Sequence, residues 1–218
     1  MHADWSAVPY VIMSHPMTFT DEETSLLADA RFFQKKAVIT AKVRAQLEAA
    51  HRVLTTELAG VSLTTPPGFN PKAHQLVKGE HLEDFPYQYL DCPKHFEGRN
   101  TFTFRILFWW GHHAAFALLL EGEDLKQYKK RFVDRFHQLA GHDLEFSLAP
   151  TLWEWKHGEG YTLPITHDRK ARLAAVLAER SFMKIIRCVP LSDPRIQAGQ
   201  LPQLSCETFR AMLPIITA

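Results

Sequence analysis

The stretch TFTFRILFWWGHHAAFALLLE, residues 101–121, decides the fold predicted for this chain. Residues 102–110 place bulky apolar side chains at every second position, which is the period of a β-strand. Gly111 can form a tight turn, and residues 113–121 predict a returning strand. Because both faces of this hairpin are largely apolar, we expect it to lie at the centre of a sheet that is covered on both sides.

A two-residue turn at Gly111-His112 would set the register of the hairpin. Phe108 would then lie opposite Ala115, and Ile106 opposite Ala117, so that large side chains meet small ones. A slip of one residue would reverse the facing of every side chain in the second strand, and the sequence leaves the register open.

Helical and strand patterns alternate along the rest of the chain. Helices are predicted at about 21–34, 36–59, 124–140, 166–178 and 205–213, the first of them opened by a capping box at Thr20 and Glu23. Further strands are predicted at about 85–90, 144–148, 152–156, 161–165 and 182–189. The last of these segments is also compatible with a helix. Residues 61–79 are predicted to form a loop. This order favours an α+β fold. We expect an antiparallel sheet with a central hairpin, and we expect the N-terminal helices and two later helices to pack on this sheet.

Composition predicts one globular domain over residues 1–218, with an extension at 1–18 and a tail with a short helix at 192–218. The net charge of +1 argues against nucleic-acid binding, and the longest apolar run is too short to cross a membrane. The three cysteines form no CxxC pair, which is typical of a reducing compartment. We therefore expect a soluble cytoplasmic protein.

Arg105 is the most informative polar residue, because it lies mid-strand among apolar neighbours. A buried guanidinium needs a partner, and Glu80, Asp91 and Glu154 are the candidates. Two interpretations remain open. Arg105 can hold an anionic ligand in a pocket, or it can form a structural ion pair or extend to the sheet edge.

Charged and aromatic residues concentrate just before the hairpin, and four tryptophans at 109, 110, 153 and 155 could line an aromatic cleft or simply pack in the core. The candidate ligand-binding residues are Lys78, Glu80, Tyr87, Asp91, Arg105, Trp109, His113 and Glu154.

The twelve histidines form no recognisable metal motif. His112 and His113 are adjacent, so in a strand they point to opposite faces and cannot chelate one ion together. A site joining His113 with Glu121 or Glu154 across strands stays open. The sequence otherwise predicts no metal and no cofactor.

The chain resembles a family of uncharacterised bacterial proteins over about residues 26–191. The resemblance rests on Lys78-Gly79-Glu80, Pro86-Tyr87, Leu90-Asp91 and Phe108-Trp109-Trp110-Gly111 in this order. It departs from that pattern at Cys92, where the family has an aromatic residue, and at His112-His113. The resemblance implies a single intracellular unit and names no chemistry.

Three functions are compatible with these features. The favoured one is a protein that binds a small molecule or a peptide in a cleft near Tyr87, Arg105 and Trp109. An acid–base enzyme would use Glu80 and Asp91 with His113, with Arg105 holding an anionic substrate. The third is an oligomeric scaffold that uses the N-terminal helices as its interface.

Overall fold

The computed structural model describes residues 17–218, so most of the predicted extension lies outside the described residues. Of these residues, 17–40 belong to one compact unit and Ala41–Ala218 form a second, and each unit is described by itself. The strands are β1 Gln75–Leu82, β2 Phe85–Glu97, β3 Asn100–Trp109, β4 His113–Glu121, β5 Glu145–Ser147, β6 Thr162–Pro164 and β7 Phe182–Pro190. The helices are α1 Asp21–Leu27, α2 Ala30–Ala59, α3 Leu125–Asp134, α4 Phe136–Leu139, α5 Lys170–Ala178, α6 Pro194–Gln197 and α7 Leu201–Ile216, with a 3₁₀ turn at His167–Arg169.

The seven strands form one sheet in the order β1-β2-β3-β4-β7-β5-β6, and the neighbouring strands pair antiparallel. The hairpin β3-β4 lies in the middle of this order. The α+β fold with an antiparallel sheet and a central hairpin is therefore confirmed. Residues 182–190 are a strand, which decides between the two structures that the sequence allowed there.

Helices cover one face of the sheet and form the main core with it. Side chains of β3 on this face, such as Phe104, pack with residues of α2, α3 and α7, including Leu47, Phe132 and Phe209. The Phe104 and Phe209 rings meet edge to face with centroids 5.2 Å apart. The even-numbered face of β3 is thus ordinary core, as its alternation predicts.

The predicted register of the hairpin is wrong by one residue. Phe108 lies opposite Ala114, and Arg105 lies opposite Ala117. The connection has three residues rather than two, since β3 ends at Trp109 and β4 begins at His113. Gly111 has φ of +74°, a left-handed conformation that suits glycine in such a loop. The extra loop residue turns Ala115 and Ala117 to the face opposite the helices.

Three further predictions of local structure are wrong. The loop predicted over 61–79 ends earlier, because β1 begins at Gln75. The strand predicted to end at Leu90 continues to Glu97, with a register irregularity between Asp91 and Lys94 that accommodates Pro93. Residues 152–156 form turns and irregular chain rather than a strand.

The N-terminal helices differ from the prediction only in where they break. The capping box is confirmed, since the Thr20 hydroxyl accepts from the Glu23 amide and the Glu23 carboxylate accepts from the Thr20 amide. The break falls between Leu27 and Ala30 rather than near Gln34. Asp29 marks this break by accepting a hydrogen bond from the Phe32 amide at 2.9 Å, which starts the second helix.

Candidate functional site

The sheet face opposite the helices carries the buried charged residues Asp91, Arg105 and Lys184, and we call it the charged face. Residues 148–161, which connect β5 to β6 without regular structure, lie across it and are called the covering segment. Leu152 and Trp155 of this segment are buried in one cluster with Leu107, Ala115 and Ala117 of the hairpin. The small alanines and the large covering side chains fill the space where the sequence predicted an aromatic cleft.

Arg105 forms a bidentate ion pair with Asp91 at the centre of the charged face. Its Nε donates to Asp91 Oδ1 at 2.7 Å, and its Nη2 donates to Asp91 Oδ2 at 2.8 Å. Gln75 Nε2 donates a further hydrogen bond to Asp91 Oδ2 at 2.7 Å. Asp91 is fully buried and Arg105 is 6% exposed, so the pair satisfies two charges that would be costly alone. Among the three candidate partners, Asp91 is therefore the one that Arg105 uses.

Aromatic rings enclose the Arg105 guanidinium. Its central carbon lies 3.8 Å from the centroid of the Tyr89 ring, 5.2 Å from Trp153 and 5.6 Å from Trp155. These distances are typical of cation–π contacts, which strengthen when water is excluded. A carboxylate and three rings already engage the guanidinium, which favours the structural interpretation over an anion-binding pocket.

Lys184 fixes the covering segment to the sheet. The side chain of this β7 residue is 1% exposed, and its Nζ donates to the backbone carbonyls of Leu152, at 3.2 Å, and Glu154. The same Nζ lies 4.8 Å from the centroid of the Trp155 ring. Burial lowers the pKa of Lys184 to about 8, although the charge of Glu154 acts in the opposite direction. Arg180 holds the start of the segment by donating to the carbonyls of Leu148 and Ala149 at 2.6 and 2.8 Å.

Trp109 and Tyr87 extend the charged face towards the hairpin loop. Trp109 is buried, its Nε1 donates to the Leu82 carbonyl at 3.0 Å, and the His112 ring stacks on it at 3.7 Å between centroids. The Tyr87 ring lies across Gly79 of the neighbouring strand, where a Cβ atom would come within 2.3 Å of it. Gly79, which has no Cβ atom, therefore allows the Tyr87 ring to lie close to the backbone of β1.

We expect Gly79→Ala to lower the free energy of unfolding by about 1–2 kcal/mol, because the new methyl group must displace the Tyr87 ring. Chemical denaturation of the variant and of the wild type measures the difference. The same substitution in a Tyr87→Ala background should cost clearly less, since the ring is then absent. Equal losses in both backgrounds would contradict the steric explanation.

The structure places five of the eight predicted site residues on the charged face of the sheet, two on the opposite side and one in the covering segment. The five are Tyr87, Asp91, Arg105, Trp109 and His113. Lys78 and Glu80 lie on the opposite side of edge strand β1, where they form an exposed ion pair at 3.3 Å. Glu154 belongs to the covering segment and meets Lys184 through its backbone carbonyl.

The groups proposed for acid–base chemistry do not converge. Asp91 is buried against Arg105, Glu80 is paired with Lys78 on the other side of the sheet, and His113 lies at the start of β4. Proton transfer in one active site requires these groups to reach the same substrate atom or water. The arrangement therefore does not support the acid–base enzyme that used these three residues.

The structure gathers one polar cluster that the sequence analysis missed. His113 is 6% exposed, and the His157 ring lies 4.6 Å from it between centroids. Cys188 of β7 completes the cluster. Burial and the charges of His157 and His112 lower the pKa of His113 to about 4, so its imidazole is neutral at physiological pH. No sequence spacing signals this cluster, because its members come from three distant segments.

The cavities of about 670 and 490 Å³ both lie away from the Arg105–Asp91 pair. The larger is lined by residues at the ends of β2 and β3, including Glu97 and Asn100. The smaller is lined by residues of β5, β6 and the covering segment with Arg169 and Arg172. Both are open, and neither contains any of the eight predicted site residues.

Comparison of the chain with protein-family models, with curated proteins and with solved structures found no match in any of the three. The resemblance described above therefore stays a prediction. None of the helices in residues 17–218 is long and apolar enough to cross a membrane.

Proposed function

We propose that this chain is an interaction protein that self-associates through its N-terminal helical unit, residues 17–40. One observation carries the proposal: large apolar side chains of this unit are exposed along its whole length. They are Met17, Phe19, Leu26, Leu27, Phe32, Phe33, Val38 and Ile39, each between 42% and 100% exposed. Contiguous apolar surface of this kind marks interaction sites in soluble monomers.

The exposed side chains of the unit form a concave apolar surface. Helix α1 has no buried residue at all. A cavity of about 390 Å³ within the unit is lined by Phe19, Glu23, Leu26, Leu27, Phe32 and Phe33. A helix as short as α1 is marginal in water by itself, so the burial of these side chains by a partner would stabilise it.

The charges of the unit favour a second copy of the same chain as the partner. The first turn of α1 carries Asp21, Glu22 and Glu23, while the start of α2 carries Arg31 and Lys35. In a two-fold arrangement each copy presents the same surface, so an acidic end can meet the basic end of its partner twice. Such complementarity selects the partner and its orientation, and the apolar side chains supply most of the affinity.

The charged face is a weaker candidate for the binding role. The chain's own covering segment occupies it, and Arg105 is engaged by Asp91. The unit at residues 17–40, in contrast, exposes its apolar side chains without any rearrangement. We therefore assign the binding function to the N-terminal unit and not to the predicted cleft.

We expect Phe33→Glu to weaken self-association at least tenfold, since it places a charge where about 1.5–3 kcal/mol of apolar burial is expected. Sedimentation equilibrium of the full chain over a range of concentrations gives the dissociation constant. Tyr161→Glu is the matched control, because Tyr161 is an exposed aromatic residue outside this unit. A monomeric wild type, or equal weakening by both substitutions, would contradict the proposal.

Charge reversal tests the orientation of the two copies. A variant with Glu22→Lys and Glu23→Lys, and a second with Arg31→Glu and Lys35→Glu, should each self-associate more weakly than the wild type. Mixing the two variants should restore a mixed dimer, because their charges are again complementary. If the mixed dimer is no stronger than either variant's self-association, the acidic end of one copy does not meet the basic end of the other.

A further inference from the structure

Three potential metal ligands meet beside the end of the hairpin. One imidazole nitrogen of each of His113 and His157 and the Sγ of Cys188 all lie within 4.8 Å of one another. His113 begins β4, Cys188 lies near the end of the neighbouring strand β7, and His157 belongs to the covering segment. In the antiparallel pairing of β4 with β7, Cys188 lies opposite Ala115, which is two residues after His113. This pairing fixes the separation of His113 and Cys188 along the sheet.

The buried His113 side chain points independently to a ligand. Its Nε2 atom is buried and has no hydrogen-bond partner. A neutral imidazole with its proton on Nδ1 would present the Nε2 lone pair to a ligand. A buried nitrogen without a partner costs stability, and a bound metal ion would satisfy it.

Of the other two groups, Cys188 would give a second ligand from the sheet, and His157 would give a ligand that solvent can reach. Cys188 is a free, partly buried thiol, and His157 is exposed to solvent. Ligand atoms around one tetrahedral ion lie about 3.5 Å apart, given metal–nitrogen and metal–sulfur distances of about 2.1 and 2.3 Å. The exposed His157 side chain can make the small inward movement that this requires.

We propose that His113 Nε2, His157 and Cys188 Sγ bind a divalent transition-metal ion, with Zn²⁺ as the preferred occupant. Two imidazoles and one thiolate suit Zn²⁺ and disfavour Mg²⁺ or Ca²⁺, which take oxygen ligands. Binding forms one metal–sulfur and two metal–nitrogen bonds and releases the thiol proton of Cys188 to solvent, while the metal keeps its oxidation state. The fourth position of the ion is left for water.

A metal ion bound at this site would connect the covering segment to the sheet. His157 is the one ligand of the three that comes from this segment, and the other two come from the sheet. A bound ion would therefore fix the segment over the charged face at a point beyond the Lys184 contacts. This role is independent of the proposed self-association, because it uses none of residues 17–40.

Co²⁺ is a suitable spectroscopic probe of this site, because it can replace Zn²⁺ and its visible absorption reports its ligands and coordination geometry. We expect the full chain, stripped of metal by a chelator, to bind one equivalent of Co²⁺ with a thiolate-to-cobalt charge-transfer band. Intense d–d absorption bands of tetrahedral Co²⁺ should appear in the visible region together with the charge-transfer band. Addition of Zn²⁺ should displace Co²⁺ and remove both sets of bands. Cys188→Ser should abolish the charge-transfer band, and His157→Ala should weaken Zn²⁺ binding at least tenfold by competition with a chromophoric chelator.

Two variants serve as matched controls. His142→Ala removes an exposed histidine that is not a ligand, and Cys206→Ser removes a thiol elsewhere in the fold. Both should bind Co²⁺ and Zn²⁺ as the wild type does. Because His157 is exposed, His157→Ala tests the site even if Cys188→Ser fails to fold. The absence of a charge-transfer band in the wild type, its persistence in Cys188→Ser, or wild-type affinity in His157→Ala would each overturn the proposal.

Discussion

Replacing Asp91 by alanine should lower the free energy of unfolding by about 3–5 kcal/mol, the largest loss we expect from a single polar substitution in this chain. The substitution leaves the Arg105 guanidinium buried without its carboxylate, and its aromatic neighbours do not replace the lost charge. It also removes the acceptor of the hydrogen bond from Gln75. Urea denaturation followed by far-ultraviolet circular dichroism measures the change.

Two controls separate the buried charge from a general loss of contacts. Combining Asp91→Leu with Arg105→Met should recover most of the stability, because an apolar pair of similar volume has no charge to desolvate. Glu48→Ala breaks the exposed Arg44–Glu48 pair of α2 and should cost less than about 1 kcal/mol. If Asp91→Ala costs no more than Glu48→Ala, the ion pair does not organise the charged face.

Lys184→Met should cost about 3 kcal/mol and loosen the covering segment. The substitution leaves the carbonyls of Leu152 and Glu154 without their donor, and each buried unpaired acceptor costs about 1–3 kcal/mol. Methionine keeps most of the apolar volume, so cavity formation contributes little. We expect faster amide hydrogen exchange in residues 148–161, measured by mass spectrometry. Glu159→Gln, at an exposed position of the same segment, should leave exchange unchanged.

The pH dependence of stability should also change in this variant. Burial lowers the pKa of Lys184 from 10.5 in the unfolded chain to about 8 in the folded protein. The unfolded state therefore binds more protons between these two values, and this lysine makes the wild type more stable as the pH rises from about 8 to 10.5. The stability difference between wild type and Lys184→Met, measured with a chelator present, should increase over this window. A constant difference would show that the amine titrates normally.

The local chemistry of the sequence predicted several elements correctly. The alternation in residues 101–110 identified β3 and its core face, because side chains in a strand necessarily alternate between two faces. The capping box at Thr20 located the start of α1, since it depends only on residues three positions apart. Arg105 was recognised as a buried charge that needs a partner, because its neighbours in the strand are apolar. Each of these inferences depends on short separations along the chain.

Long-range packing decided what the sequence left open. The three-residue loop shifted β4 by one position, and that shift turned Ala115 and Ala117 towards the covering segment. The pairing of β2 with β3 selected Asp91 as the partner of Arg105, because these two residues lie directly opposite each other.

The histidine–cysteine cluster depended most strongly on tertiary structure. His113, His157 and Cys188 are separated by tens of residues, and they meet only because β4 pairs with β7 while the covering segment crosses the same face. Periodicity and capping follow from the geometry of neighbouring residues, so the sequence alone determines them. Register, ion-pair partners and ligand clusters follow from how distant segments pack, and only the folded chain determines those.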